Sequence, residues 1–556
     1  MHKIYNALVS VLFWIIISFL LFICIYNTCL VDVYEVTHFY KGNVLSNVVS
    51  IAITVFVLWR IRKVTAISHF VKRVDSEDSF RKKLKIVILV AIGLIGVMFA
   101  LGSAAVVASD QVMVQDAARK ISTGDFSDLK PGGYLFTYPN QLGLVWISVL
   151  FGKIFGFGNY TAFRVMNVLC LCLFYKRISD IVGIISRKSK RSEISVLILG
   201  ILFLPLFLYC SFIYGTIPGL ALSTGAVYHA LVFIDNKHAK NAVLAAVLIT
   251  LSMLFKSNYL IVFIAIFIHS LISIICHKNK VLMMLPVLLI LGYLLQSFIP
   301  TALTGYCTGM EAPKGASSLS WIAMGLQEGG LAEGWYNGYN KETLEESGYD
   351  SDIQGELAKE NIKERIAYFK DNKFDCFKFF SKKLASEWDD PTFEGYWINR
   401  EAANGAAHSG FAAYLLSDGA YRIGLAFLDH LQAIILFGSY AYVILKKDKG
   451  REIVLFLAFI GGFVFHTFWE AKPQYTLTYF VLLLPLCAMG FEELLDYADS
   501  IHAANINRRP GMTEAVRVIL LFVLPLVILT LIYGGSVGES LIEESIPCLY
   551  NYKITK

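Results

Sequence analysis

The chain has 556 residues, of which 56% are hydrophobic and only 17% charged, with a mean hydropathy of +0.59 and a formal net charge of +6. So little charge spread over so many apolar runs excludes a soluble globular protein. The small, uneven surplus of Lys and Arg speaks for membrane topology and against nucleic-acid binding.

Apolar runs of ~17–25 residues are long enough to cross ~30 Å of hydrocarbon as helices. In chain order they fall at 7–29, 46–60, 85–108, 161–184, 194–214, 217–234, 241–255, 258–276, 281–300, 421–445, 452–469, 474–495 and 515–535. The first is too long, and lacks a small-residue cleavage site, for a removable signal peptide. The expected fold is therefore an all-α polytopic membrane protein with about 13 transmembrane helices, outer-face juxtamembrane helices and a mostly helical outer segment.

Orientation follows from short loops rich in Lys and Arg, which stay in the cytoplasm. The strongest cluster runs from Arg60 to Lys85; Arg187 to Arg191, Lys446 to Arg451, and Arg508, Arg509 and Arg517 form three more. All four lie inside only if Leu142 to Phe157, short and interrupted by glycines and Lys153, is a juxtamembrane or re-entrant helix on the outer surface. Asp110, where the third run gives way to polar sequence, then emerges outside.

Four regions result. Residues 1–84 hold two transmembrane helices and a basic cytoplasmic linker, an addition that reads as separable. Residues 85–300 form a transmembrane core whose first outer loop is 109–160. Residues 301–420 are an extracytoplasmic segment in which acidic residues outnumber basic ones, and within it Asn361 to Leu384 has amphipathic helical spacing. Residues 421–556 return to the membrane and end in an outer tail. The ten cysteines show no metal spacing; most sit in apolar runs, and a Cys307–Cys376 bridge stays open.

Every inner loop is at most about 25 residues, and none contains GxxxxGKS/T or GxGxxG, so there is no cytoplasmic nucleotide module. An enzyme acting outside then draws its activated substrate from the membrane, as a lipid-linked donor. The chemistry-bearing residues gather on that face. Asp110, beside Gln111 and six residues before Asp116, suits a general base and equally suits the N-cap of the helix that follows. Tyr134, Tyr138 and Asn140 follow a Pro-Gly-Gly turn and suit a sugar or headgroup, or an interfacial aromatic belt. Lys256, in an outer hairpin, could neutralise a phosphate or snorkel. Glu470, Lys472 and Tyr475 occupy another outer hairpin beside His466 and Trp469. Trp321, Trp335, Trp388 and Trp397, with Asp389 and Asp390, offer sugar-stacking faces and carboxylates in the outer segment, or simply its core.

The run from Asp110 through GGYLFTYPNQLG to FGNYTAFRVMN resembles the first outer loop of bacterial GT-C glycosyltransferases, of the protein O-mannosyltransferase and lipid A aminoarabinose transferase type. WEAKPQY, residues 469–475, is similar to a late hairpin of Gram-positive members. The resemblance covers residues 85 to 495 in layout and far less in specific motifs. It implies a multi-pass cell-membrane enzyme that moves a sugar from a polyprenyl-phosphate-linked donor to an extracytoplasmic glycan, glycolipid or protein, with inversion and with Asp110 as base. Gln111, Asp116, Tyr134, Tyr138, Asn140, Lys256, Glu470, Lys472 and Tyr475 would bind substrate. No cofactor or resident metal is called for, although a divalent cation is left open, and the other partners are membrane lipids. Gln111 stands where many members have a second acidic residue, and Gln474 where many have Arg. Two other classes compete. A lipid or polysaccharide transporter or flippase would show paired halves and polar breaks at midplane, and the sequence has no internal repeat. A non-catalytic envelope-assembly scaffold would tolerate loss of Asp110.

Overall fold

The computed structural model describes residues 2–42, 44–186, 189–401 and 407–507. The expected span 515–535, the basic residues Arg187, Lys188, Arg508, Arg509 and Arg517, and the outer tail lie outside them. The chain begins with a long helix, α1 (His2–Tyr26), followed by a short antiparallel hairpin of β1 (Asn27–Val31) and β2 (Thr37–Lys41) that pairs Asn27 with Lys41. Then come α2 (Val44–Arg62), α3 (Thr65–Ser76), α4 (Asp78–Gly102), α5 (Asp110–Ser122), α6 (Tyr134–Thr137), α7 (Leu142–Phe155) and α8 (Tyr160–Ile185). The middle of the chain adds α9 (Ser192–Leu202), α10 (Pro205–Leu208), α11 (Thr216–Asn236), α12 (Ala239–Phe255), α13 (Leu260–His277) and α14 (Met284–Thr308). The segment expected on the outer side holds α15 (Ser318–Gly325), α16 (Tyr339–Glu346), α17 (Ser351–Asp371) and α18 (Lys373–Trp388), and the chain continues through α19 (Gly410–Leu415), α20 (Asp418–Leu445), α21 (Ile453–Phe468), α22 (Pro473–Phe480) and α23 (Leu483–Asn507).

This is an all-α polytopic membrane protein apart from one hairpin. Among the described residues seven helices are long and apolar enough to cross a bilayer, or up to nine if the bent pairs α9–α10 (60°) and α22–α23 (47°) each count as one. The expectation of about thirteen differs for physical reasons. The run at 161–184 is the long α8, but Arg164, Lys176, Arg177 and Asp180 load it with charge. The runs at 241–255 and 452–469 form helices of 17 and 16 residues, short for a full crossing. Outward faces such as Ile86, Val87, Val90 and Leu94 of α4, and Val287, Leu291, Leu294 and Phe298 of α14, are exposed apolar surface that suits lipid.

Three further expectations meet the structure. α1 packs on α20 and α21, with Phe13 stacked on Phe456 at 4.2 Å, and α2 packs on α20, so both helices contact the rest of the bundle. The amphipathic run 361–384 is two helices, broken at Asn372 between α17 and α18, and its Ile366 is exposed while Phe369 and Leu384 are buried. Cys307 and Cys376 are free thiols.

Charge separates along the bundle. At one end three basic clusters converge on α23: Arg62 and Arg191 meet Asp496, and Lys446 meets Glu493. The other end carries the outer segment, the hairpin and Asp110.

Candidate active site

The segment that delivers Asp110 is held by buried polar groups. After α4 ends, Arg164 of α8 donates to the carbonyls of Ser103 (3.0 Å) and Ala105 (2.8 Å), two acceptors of the non-helical segment that follows. Asn399 ties the same place to the outer segment. Its Oδ1 accepts from the Ser103 hydroxyl (2.6 Å) and the Ser211 hydroxyl (2.7 Å), and its Nδ2 donates to Leu208 O (3.0 Å) and Gly395 O (2.8 Å). Ser109 then takes a left-handed conformation (φ 51°) and α5 starts at Asp110.

Asp110 does not cap α5; the residue in the cap position is Ser109, and no side chain bonds the helix's first amides there. The Asp110 carboxylate instead accepts from the Tyr134 hydroxyl at 3.2 Å. It is open to water yet closely flanked by protein. That enclosure raises its pKa above the ordinary carboxylate range, against the opposing pull of Lys472, the Tyr134 hydrogen bond and Lys256.

Two lysines and three more carboxylates share this region. Lys256, buried where α12 ends, donates to Thr216 Oγ1 (3.3 Å) and lies 5.3 Å from the Tyr475 ring centroid and 5.8 Å from that of Tyr214. Burial brings its pKa down to about 8, although Asp110 and Glu394 pull the other way. Lys472 sits 3.3 Å from Glu35 and 3.8 Å from Glu394. Burial works against its charge, but Glu394, Glu35 and Glu470 more than offset that and hold it protonated well above the usual range. Burial pushes Glu394 up to about 8 in spite of Lys472. It likewise pushes Glu470, which accepts from the Tyr475 hydroxyl at 3.4 Å, up to about 7. Four carboxylates thus surround two ammonium groups, and several of the six change protonation near neutral pH.

Backbone strain concentrates here. Among the described residues, seven non-glycine residues have positive φ, and four of them (Glu35, Ser109, Phe393 and Glu394) border this cluster. Such conformations persist only where surrounding contacts enforce them. At Glu394 the enforcing group is Asp390, whose buried carboxylate accepts from the Thr392 amide, the Thr392 hydroxyl and the Glu394 amide, each at 2.8 Å. The loop carrying Glu470 is pinned by Lys383, which donates to Gly325 O and Trp469 O at 2.6 Å each. Gly325 has to be glycine at that crossing: a Cβ would meet Phe468 O and Trp469 O at 2.6 Å.

An aromatic wall runs from the carboxylate outward. Tyr134 and Tyr138 lie 5.3 Å apart, Tyr138 meets Trp321 edge-on at 6.2 Å, and Trp321 stacks on Trp469 at 5.8 Å. The four tryptophans singled out in the outer segment divide. Trp388 packs in the core against Phe459 and Phe463, and Trp335 is buried with its indole donating to Ser386 Oγ. Trp321 is partly exposed in the wall, and Trp397 comes within 5.6 Å of Lys472.

The structure thus brings Asp110, Tyr134, Tyr138, Lys256, Glu470, Lys472 and Tyr475 together. It spends two other candidates elsewhere. Gln111 is buried, accepting from Ile213 N (2.8 Å) and donating to Ala108 O. Asp116 pairs with Arg119 (2.6 Å) and Lys120 (3.2 Å) on its own helix. Asn140 is exposed beside Gln141, which donates to the Tyr214 hydroxyl. Asp389 is fully buried, away from any role in grasping a ligand at the surface. Glu35, Glu394 and Tyr214 carry no signal in their local sequence; only the fold assembles them. Among the described residues no three His, Cys, Asp or Glu side chains converge as metal ligands would.

No protein-family model matches the chain, and no curated protein matches it in sequence. Among solved structures it is similar to an archaeal oligosaccharyltransferase, AglB from Archaeoglobus fulgidus in complex with an inhibitory peptide and a dolichol-phosphate. The identity is 14% and the TM-score 0.35, over 84% of this chain and 56% of that one. The chain therefore spans little more than half the length of that enzyme. It is also similar to ArnT from Cupriavidus metallidurans bound to undecaprenyl phosphate, at 11% identity and a TM-score of 0.28 over 83% of this chain and 89% of that one. The apo form of ArnT aligns at 11% identity and a TM-score of 0.28, over 84% and 89% of the two chains.

Proposed function

We propose that the protein is an integral membrane glycosyltransferase of the GT-C type, moving a sugar from a polyprenyl-phosphate-linked donor to an extracytoplasmic hydroxyl. The observation that carries this reading is a water-accessible carboxylate, Asp110, grouped with Lys256, Lys472 and an aromatic wall. Its place at the end of the bundle opposite the basic clusters supports putting this group of residues on the outer face.

In this reaction Asp110 removes the proton from the acceptor hydroxyl as its oxygen attacks the anomeric carbon of the donor. The bond from that carbon to the phosphate oxygen breaks, and the polyprenyl phosphate leaves with the electron pair. A raised carboxylate pKa suits the task, because a stronger base drives proton transfer better. Lys256 and Lys472 would stabilise the negative charge that builds on the departing phosphate, and an ammonium screened from water does so far more than one in water. Phosphate would compete with Glu35 and Glu394 for Lys472, and a protonated Glu394 weakens that competition. Tyr134, Tyr138 and Trp321 would present stacking faces to the sugar. One base on one side of the reacting carbon fits a single displacement with inversion.

The test is Asp110→Asn in proteoliposomes supplied with polyprenyl-phosphate-linked sugars. General base work contributes about 100-fold or more to rate, so transfer should fall by at least that factor while the protein keeps its thermal stability. A stable variant with more than about a tenth of normal turnover would remove Asp110 from the base role.

A further inference from the structure

At the opposite end of the bundle, a cavity of about 390 Å³ opens between the end of α2, α3, the start of α9 and α23. Arg62, Lys63, Lys72 and Arg191 line it, with Asp75, Asp499 and the side chain of Ser68. Three of the four cations already hold carboxylates: Arg191 pairs with Glu492 (2.5 Å), Asp496 (3.3 Å) and Asp75 (3.8 Å), Arg62 with Asp496 (2.5 Å) and Lys63 with Asp499 (3.6 Å), Asp75 and Asp499 being the two carboxylates that line the cavity. The two carboxylates are also partly occupied: Asp75 accepts from the amides of Lys190 (2.9 Å) and Arg191 (2.8 Å), and Asp499 accepts from the Trp59 indole (3.0 Å). Lys72 is exposed and, among the described residues, has no ion-pair partner. Guanidinium, ammonium and hydroxyl donors converging on one hollow are the donors that bind phosphate oxygens.

What surrounds the cavity bears on the source of the anion. α3 is amphipathic, with Val64 just before it and Ile67 and Phe70 on it exposed at 52%, 37% and 41%, beside charged Lys72 and Arg73. A helix with exposed apolar residues next to basic ones lies in the membrane interface, at headgroup depth. We propose that this cavity is a phosphate-binding site, filled by the headgroup of an anionic phospholipid from the adjoining leaflet or by free phosphate. The exposed face of α3 favours the headgroup. Its role is independent of the transfer reaction: a headgroup here would clamp α3 and α23 together at the end of the bundle far from Asp110.

The test uses the full chain in detergent, with the wild type compared with a Lys63→Gln/Lys72→Gln double variant. Both side chains are surface groups remote from Asp110, and turnover with a lipid-linked donor is expected to be unchanged. Native mass spectrometry should show dioleoyl phosphatidylglycerol retained about tenfold or more over phosphatidylcholine, and the double variant should lose that preference. In a second arm, inorganic phosphate is titrated while thermal unfolding is followed. A stabilisation that disappears in the variant assigns the site to the free anion; phosphatidylglycerol selectivity without a phosphate effect assigns it to lipid. Equal phosphatidylglycerol retention by both proteins, together with no phosphate stabilisation, would overturn the proposal. Lys72→Glu, which reverses the charge of an exposed side chain, provides a second variant that should lose the preference as well.

Discussion

Lys85 and Lys472 are almost equally buried, with 13% and 14% of their side chains exposed, and each faces two carboxylates. Around Lys85 the match is close. Asp180 and Glu193 both lie 3.0 Å away and are shared with Lys176, Arg177, Arg81 and Lys190, so every acid at that junction has several cationic partners. Around Lys472 the contacts are longer, 3.3 and 3.8 Å, and the acids are in excess. Burial there leaves Glu470 titrating near 7 and Glu394 near 8. One lysine belongs to a settled network that joins helices. The other sits among acids that burial shifts toward the protonated form, the perturbed ionisation that gathers at functional sites.

Four substitutions would break or sharpen that contrast. The largest effect is expected from Lys472→Met, which should lower kcat/KM for a lipid-linked donor about 100-fold, in line with loss of one group that stabilises developing charge. Lys85→Met should do the reverse. Loss of a buried partner costs about 3 kcal/mol of stability, read as a lowered Tm in detergent, while turnover stays within about threefold of wild type. If the two variants behave alike, the distinction between the lysines fails. Lys256 gives a pH test. Its pKa is brought down to about 8, so its charge is present below that value and lost above it. Transfer should therefore decline as pH rises through about 8, and Lys256→Arg, which stays protonated, should move that limb upward. Asp116→Asn should have the smallest effect. Its partners lie on its own exposed helix turn, where such pairs contribute little, so a marked loss of activity would bring Asp116 back into the site.

Much of this site was legible in the sequence because charge is costly at a membrane and therefore stands out. Asp110, Lys256 and the Glu470–Lys472 pair each interrupt apolar sequence at a turn, and the basic clusters fixed which turns share a face. Neither Gln111 nor Asp116 could be separated from its neighbours by position alone. Helical periodicity turns Gln111 into the protein against Ile213, whereas Asp116 faces Arg119 and Lys120 on the surface. Glu394 was hidden for another reason. It follows two more conspicuous acids, Asp389 and Asp390, and it reaches Lys472 only because Asp390 folds its loop through two left-handed residues. The span count was blurred by α8, where helix length and charge content point in opposite directions.

The hairpin between α1 and α2 has a practical consequence. Glu35 sits at its tip in a left-handed conformation and reaches a lysine 437 residues away, while the Cys29 amide donates to Asp389 O and the Thr37 amide to Leu331 O. A trimmed protein starting at residue 85, the natural choice for anyone isolating the part that looks like an enzyme, would leave Lys472 without one of its two carboxylates. It would also strip two strands from beneath the outer segment. Residues 1–84 should be kept in any minimal version made for assay, because their removal would directly disturb the charge cluster around Lys472.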